Sequence, residues 1–179
     1  MAATTSLTID DFERLPSEQV ENCELVDGEL VPMSSCTLKH NSIRDRFIMR
    51  VGPYVFERHL GTIVAEQEYD FGGNVHGPDI SFFGSAKLPL ADPDKRVQRF
   101  VPDLAIEIVS ANDTVTALWR KKERYRACGT SEVWIVLPES REVSIYAEGG
   151  DRILRGTAEL STDLIAGFKI SVDELFQGL

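Results

Sequence analysis

Two acidic residues sit where acids are costly. Glu107 interrupts an otherwise apolar run, Leu104-Ala105-Ile106-Glu107-Ile108-Val109, which reads as a strand buried on both faces. A carboxylate there is unfavourable unless it is paired, hydrogen-bonded or bound to a metal ion. Asp79 opens a second short apolar run, Asp79-Ile80-Ser81-Phe82-Phe83, directly after His76-Gly77-Pro78. A basic partner is available on a helical segment whose apolar stripe is Val115, Leu118, Tyr125 and Cys128. Lys121 and Lys122 border that stripe on either side, so one lysine can lean toward the acids. The alternative is that both lie along the helix surface, and spacing does not separate the two. Two carboxylates on adjacent strands beside a lysine suit metal-assisted phosphodiester hydrolysis. Carboxylate oxygens hold Mg²⁺, which lowers the pKa of an attacking water and neutralises charge in the transition state. The lysine can orient or deprotonate that water, or stabilise the developing charge. The structural alternative for Glu107 is a partner for a buried arginine or lysine.

The elements that must carry these residues follow from periodicity. Residues 7–16 read as a short helix opened by Thr8 or Asp10 and stopped by Pro16. Apolar runs flanking Asp27-Gly28 predict a hairpin. Ile43, Phe47, Val51, Tyr54 and Val55 recur at three and four, predicting a helix over 39–59 with a kink at Pro53 and Gly61 as its stop. Strands are expected at 62–71, 79–83 and 104–110, with an irregular basic stretch, 85–101, between the last two. A second helix over 112–128, capped by Asn112 or Asp113, leads into a buried strand at 132–138 and an edge strand at 142–149. The tail, 168–176, reads as a strand end and a short helix. This order predicts an α/β fold with a mixed sheet.

The chain has 179 residues and a mass of 20.0 kDa, the size of one domain, taken as 1–179 with its core over about 20–150. Hydrophobic residues at 42% and charged residues at 27% exclude a disordered or fibrous chain. No run approaches the roughly 18 apolar residues of a membrane span. No basic, then apolar, leader opens the sequence. Cys23, Cys36 and Cys128 are odd in number and form no CxxC pair, so free thiols in a reducing cytoplasm are expected. A net charge of −10 argues against coating nucleic acid by bulk charge. The acids are concentrated at the ends, however: residues 1–31 carry −7, residues 139–179 carry −4, and residues 32–138 carry +1. The middle can therefore still meet an anionic ligand. His59 and His76 show no HxH or HxxxH zinc spacing, and no GxxxxGK[ST] phosphate loop occurs. Trp119 and Trp134 read as core or interface residues.

Taken in order, Cys23-Glu24-Leu25-Val26-Asp27-Gly28-Glu29-Leu30, His40, Gly77-Pro78-Asp79-Ile80, Pro102-Asp103-Leu104-Ala105-Ile106-Glu107-Ile108-Val109-Ser110, Lys121 to Tyr125 with Gly129, and Glu132-Val133-Trp134-Ile135-Val136 resemble the Uma-type family of restriction endonucleases. That family lies within the PD-(D/E)XK, restriction-endonuclease-like superfamily, and the resemblance spans about residues 7–175. It implies a core of helix, three strands, helix and strand: a mixed β-sheet flanked by helices, preceded by an N-terminal hairpin. It also implies a nuclease site that uses Mg²⁺ or Mn²⁺. By the resemblance, Asp79 matches the superfamily aspartate and Glu107 the acid of the (D/E)XK element. The lysine of that element would fall at Val109 and is absent. In this family it has moved to the following helix, four residues before a tyrosine, at Lys121, with Lys122 as the alternate. Glu24 matches the hairpin glutamate and His40 the histidine at the first helix. The sequence departs from the family at Cys23, Val133 and Leu137, where an aromatic, a tyrosine and an aspartate are common.

The resulting expectation is a metal-dependent DNA endonuclease with Asp79, Glu107, Lys121 and Glu24 as its catalytic set. The metal is expected on Asp79, Glu107 and the main-chain carbonyl of Ile108. Lys122, His40 and Asp103 are accessory candidates, and Lys95, Arg96 and Arg99 are the expected DNA contacts. The partners would be DNA and a second copy of the chain, with no membrane and no organic cofactor. The alternative function is a non-catalytic module that binds nucleic acid or protein on a nuclease fold.

Overall fold

The computed structural model describes residues 6–33 and 35–178. Thr8 opens helix α1 (Ile9–Arg14): its hydroxyl accepts from the Asp11 N–H, and the Asp11 carboxylate accepts the Thr8 N–H, a capping box. After α2 (Ser17–Val20), strands β1 (Cys23–Val26) and β2 (Glu29–Pro32) form the hairpin predicted at Asp27-Gly28, whose φ angles are 52° and 83°. Only glycine fits the second position, because a Cβ there would stand 1.7 Å from the Ser6 hydroxyl. Helix α3 (Leu38–Glu57) is capped by the Thr37 hydroxyl and carries Pro53 within it. Its buried stripe is His40, Ile43, Phe47, Val51 and Val55.

Next come β3 (Gly61–Ala65), β4 (Glu68–Asp70), β5 (Val75–His76) and β6 (Ile80–Gly84). A 3₁₀ turn at Ser85–Leu90 then leads to β7 (Val97–Gln98) and β8 (Leu104–Ile108). Helix α4 (Val115–Ala127) crosses to β9 (Glu132–Leu137), followed by β10 (Glu142–Ala147) and β11 (Arg152–Arg155). The chain closes with β12 (Glu159–Leu160), β13 (Ile170–Ser171) and α5 (Val172–Leu175).

Two mixed sheets hold most of the described strands, and β12 and β13 form a separate antiparallel pair. The larger has the order β11-β10-β9-β8-β6-β3, and its one parallel pair is β8 with β9, joined by α4. The smaller has the order β2-β1-β5-β4-β7. Alternation sorts β8 between two layers. Leu104, Ile106 and Ile108 pack with Ile80, Phe82, Trp134 and α3, while Ala105 faces Tyr125 of α4 and Val133. Leu160, Ile165, Phe168, Ile170, Val172, Leu175 and Phe176 join the α3 layer, so the core runs well past residue 150.

Three expectations need correction. The strand expected at 62–71 is broken at Glu66, whose φ is +54°; β3 stays in the larger sheet and β4 belongs to the smaller. The strand at 142–149 is no edge, because β11 pairs along β10 and takes the outer position. Val115, placed on the buried stripe, is 83% exposed, since α4 turns its Lys121–Tyr125 face to the sheets. No helix among the described residues is long and apolar enough to cross a membrane.

Candidate active site

The two crossings between the sheets lie side by side. The chain leaves the larger sheet at Glu66 and re-enters it at Asp79, and the Glu66 N–H donates to the Asp79 carbonyl at 3.2 Å. Tyr69 of β4 and Ser81 of β6 bond across the sheets, hydroxyl to hydroxyl, at 2.7 Å. The candidate site forms at this junction.

Ile80 pairs with Ile106 and Ser81 with Ala105; continuing the register one residue sets Asp79 opposite Glu107. The Ile108 N–H donates to Asp79 Oδ2 at 2.6 Å. The carbonyl of a strand residue points to the same side as its N–H, so the Ile108 carbonyl also leaves β8 on the side of Asp79. His40 Nε2, from the first turn of α3, lies 3.1 Å from the same Asp79 oxygen. The hairpin supplies the third acid. Leu25 pairs with Val75, which sets Glu24 opposite His76, with Oε2 and Nδ1 3.1 Å apart. The outer nitrogen of His76 faces Arg124 Nη1 at 3.2 Å, and Arg124 Nη2 donates to Asp27 at 3.0 Å.

Helix α4 closes the group. Lys121 Nζ sits 2.7 Å from Glu24 Oε1 and 3.8 Å from Glu107 Oε2. One turn on, the Tyr125 hydroxyl donates to Glu107 Oε1 at 2.6 Å. Phe71 stacks on the Tyr125 ring with centroids 4.2 Å apart and fixes it. Three carboxylates therefore share one ammonium in a nearly dry pocket, and their protonation diverges. Burial pushes the Glu107 carboxyl up to about 8; Lys121 opposes the shift, while the charges of Asp79 and Glu24 add to it. Burial acts on Glu24 in the same sense, but the adjoining His76 imidazole and the Lys121 charge outweigh it, so this carboxyl lies below its ordinary value. Burial disfavours the Lys121 ammonium, yet Glu107 and Glu24 hold it firmly protonated. Burial also lowers His40, and the bond to Asp79 more than reverses that, leaving the imidazole above its ordinary value.

The structure thus brings together Asp79, Glu107, Glu24, Lys121, His40 and the backbone of Ile108. Lys122 turns away: its ammonium lies 3.5 Å from the Trp119 ring centroid and 2.6 Å from Glu123. Asp103 sits at the opposite end of β8, where it accepts the Gly84 N–H and pairs with Lys87 at 2.6 Å. Arg96 pairs with Glu68 at 2.5 Å, and Arg99 pairs with Asp10 at 2.6 Å and Glu13 at 3.0 Å. The 85–101 connection joins the Gly84 and Leu104 ends of the antiparallel pair, the ends away from Asp79 and Glu107. Its two arginines are engaged by acids of the smaller sheet and α1, and Lys95 is exposed.

Sequence reasoning did not single out Tyr125, His76 and Arg124 as partners of the acids. The i, i+4 step from Lys121 to Tyr125 was the available signal for the first. Cys36 was also unmarked; one ligand atom each from Cys36, His40 and Asp79 lie within 4.8 Å of one another.

The model of the family Uma2, described as "Putative restriction endonuclease", matches residues 9–173. The chain belongs to the Uma2 family. Its fold also matches the crystal structure of a "putative nuclease belonging to DUF820" from Anabaena variabilis, with a TM-score of 0.84, 21% sequence identity, and coverage of 95% of this chain and 97% of that one. No curated protein matches the chain. Membership agrees with the resemblance drawn from the hairpin, the Gly77-Pro78-Asp79-Ile80 segment and the Glu107 strand, and the Uma2 match covers every element that contributes to the junction.

Proposed function

We propose that this Uma2 protein is a metal-dependent endonuclease that hydrolyses phosphodiester bonds in DNA. One observation carries the reading: Glu24, Asp79, Glu107 and Lys121, from a hairpin, two strands and a helix, meet at one point where the sheets join. The donor set fits a hard divalent cation, because it consists of carboxylate oxygens and a main-chain carbonyl. The charge balance fits as well. Three acids face one ammonium, and burial raises the Glu107 carboxyl, an imbalance that a bound dication would offset. Asp79, Glu107 and the Ile108 carbonyl would hold Mg²⁺ or Mn²⁺, with Glu24 beside them. The ion supplies an activated water and charge neutralisation at the phosphate.

The protein groups do the rest. The Ile108 N–H fixes the Asp79 carboxylate, and Tyr125 fixes that of Glu107. Lys121 is held charged, so it acts as a cation that orients water and stabilises developing negative charge, not as a base. His76, backed by Arg124, keeps Glu24 ionised and aimed at Lys121.

Nicking of supercoiled plasmid in Mg²⁺ or Mn²⁺ tests the reading. Asp79→Asn, Glu107→Gln and Lys121→Met should each lose at least about 100-fold in rate. Asp79→Ala should abolish calorimetric Mg²⁺ binding. DNA binding in Ca²⁺ without any cleavage in Mg²⁺ or Mn²⁺ would favour the non-catalytic module instead.

A further inference from the structure

Cys36 lies just before the capping residue of α3, and its thiol is exposed. Four residues on, His40 is buried and directs Nε2 at Asp79 Oδ2. A thiol sulfur, an imidazole nitrogen and a carboxylate oxygen thus converge, each within 4.8 Å of the others. Cys36 and His40 come from around the start of α3 and Asp79 from the residue before β6, so two separate segments of the chain meet here. Asp79, Glu66 and Asp113 lie near the Cys36 thiol, with Arg44 as the charge of opposite sign. Arg44 is itself engaged by Asp45 and Glu66.

We propose that Cys36, His40 and Asp79 form a second cation site, selective for a thiophilic divalent ion of the Zn²⁺ class. Sulfur and nitrogen donors select such ions over Mg²⁺. Three protein ligands leave a fourth position for water, the pattern of an open tetrahedral centre. Binding is a ligand exchange: the ion loses waters, and the Cys36 thiol releases its proton to solvent as the metal–sulfur bond forms. Any proton on His40 Nε2 leaves in the same way. Asp79 is common to this site and to the oxygen-donor site proposed above. If that hydrolytic reading holds, a thiophilic ion on Cys36 and His40 ties up Asp79 and inhibits cleavage.

Co²⁺ alone, titrated into the full-length protein, tests the site without reference to activity. The wild type should develop a thiolate-to-Co²⁺ charge-transfer band, with the visible bands of four-coordinate Co²⁺. Cys23→Ser and Cys128→Ser should keep the band. Cys36→Ser, a change at an exposed position that folding tolerates, should lose it. Asp79→Asn should weaken Co²⁺ binding at least tenfold, and one equivalent of Zn²⁺ should erase the band where excess Mg²⁺ does not. A wild type without the band, or a band that survives in Cys36→Ser, overturns the proposal. A protein that shows the band but neither binds Mg²⁺ nor cleaves DNA leaves this site standing and removes the hydrolytic reading; cleavage without the band does the reverse.

Discussion

Glu107 takes up a proton on folding, and that has a measurable sign. Its carboxyl lies at about 8 in the fold, against an ordinary value of 4.5. Between those values the native state binds one more proton than the unfolded chain, so stability falls as pH rises through that window and levels off above it. Glu107→Gln removes this dependence. In EDTA, the variant should be more stable than wild type by on the order of 2–4 kcal/mol at pH 8, with little difference at pH 4.5. Urea titrations across pH check this; a gap that does not grow with pH would show that Glu107 ionises freely. Glu107 was legible in the sequence because it breaks an apolar run. Its partner Tyr125 was not, because a tyrosine in a helical stripe reads as core until the residue beneath it is known. His76 was hidden for a similar reason: its strand, Val75–His76, is too short to leave a periodic trace.

At the scale of elements, the 85–101 connection behaves as a clamp on the N-terminal helices. Arg96 bonds twice to Glu68 of β4, donates to the Val20 carbonyl at the end of α2 at 3.1 Å, and lies over the Phe12 ring of α1 at 4.7 Å. Arg96→Ala should therefore destabilise the protein by about 1–3 kcal/mol and expose α1 to proteolysis. Lys95→Ala should stay within about 0.5 kcal/mol of wild type. Equal effects of the two would mean that Arg96 is ordinary surface charge. The sequence displayed these bases but not their destination. Asp10 and Glu13 stand 89 and 86 residues from Arg99, and nothing local announces that pairing. The hairpin, α3, the Glu107 strand and α4 were legible because each carries a full period of its own pattern. The break at Glu66 was not, since Ala65-Glu66-Gln67-Glu68 differs little from a continuing edge strand. Strand β11 was missed because the hairpin before it was read as the end of the sheet.

At the scale of the molecule, the acidic N-terminus is partly neutralised from within: Asp10, Glu13 and Asp27 meet Arg99 and Arg124. The outer strands of the larger sheet are β11, with Arg152 and Ile153 exposed, and β3, so a second copy pairing edge to edge with this sheet would use one of these two.

The meeting of the two sheets also sets the order of events in folding. The contacts that build the site span long stretches of chain: 97 residues from Asp27 to Arg124, 48 from His76 to Arg124 and 29 from Asp79 to Ile108. Each is a long loop to close, so these contacts form after the local helices and hairpins. If Mg²⁺ binds at the junction as proposed, an unfolded or half-folded chain offers it no complete site, and the ion would act on the native state. Stopped-flow chevrons should show Mg²⁺ slowing the unfolding limb in proportion to its binding energy, with the refolding limb unmoved. Faster refolding in Mg²⁺ would instead place the junction of the sheets in the folding nucleus.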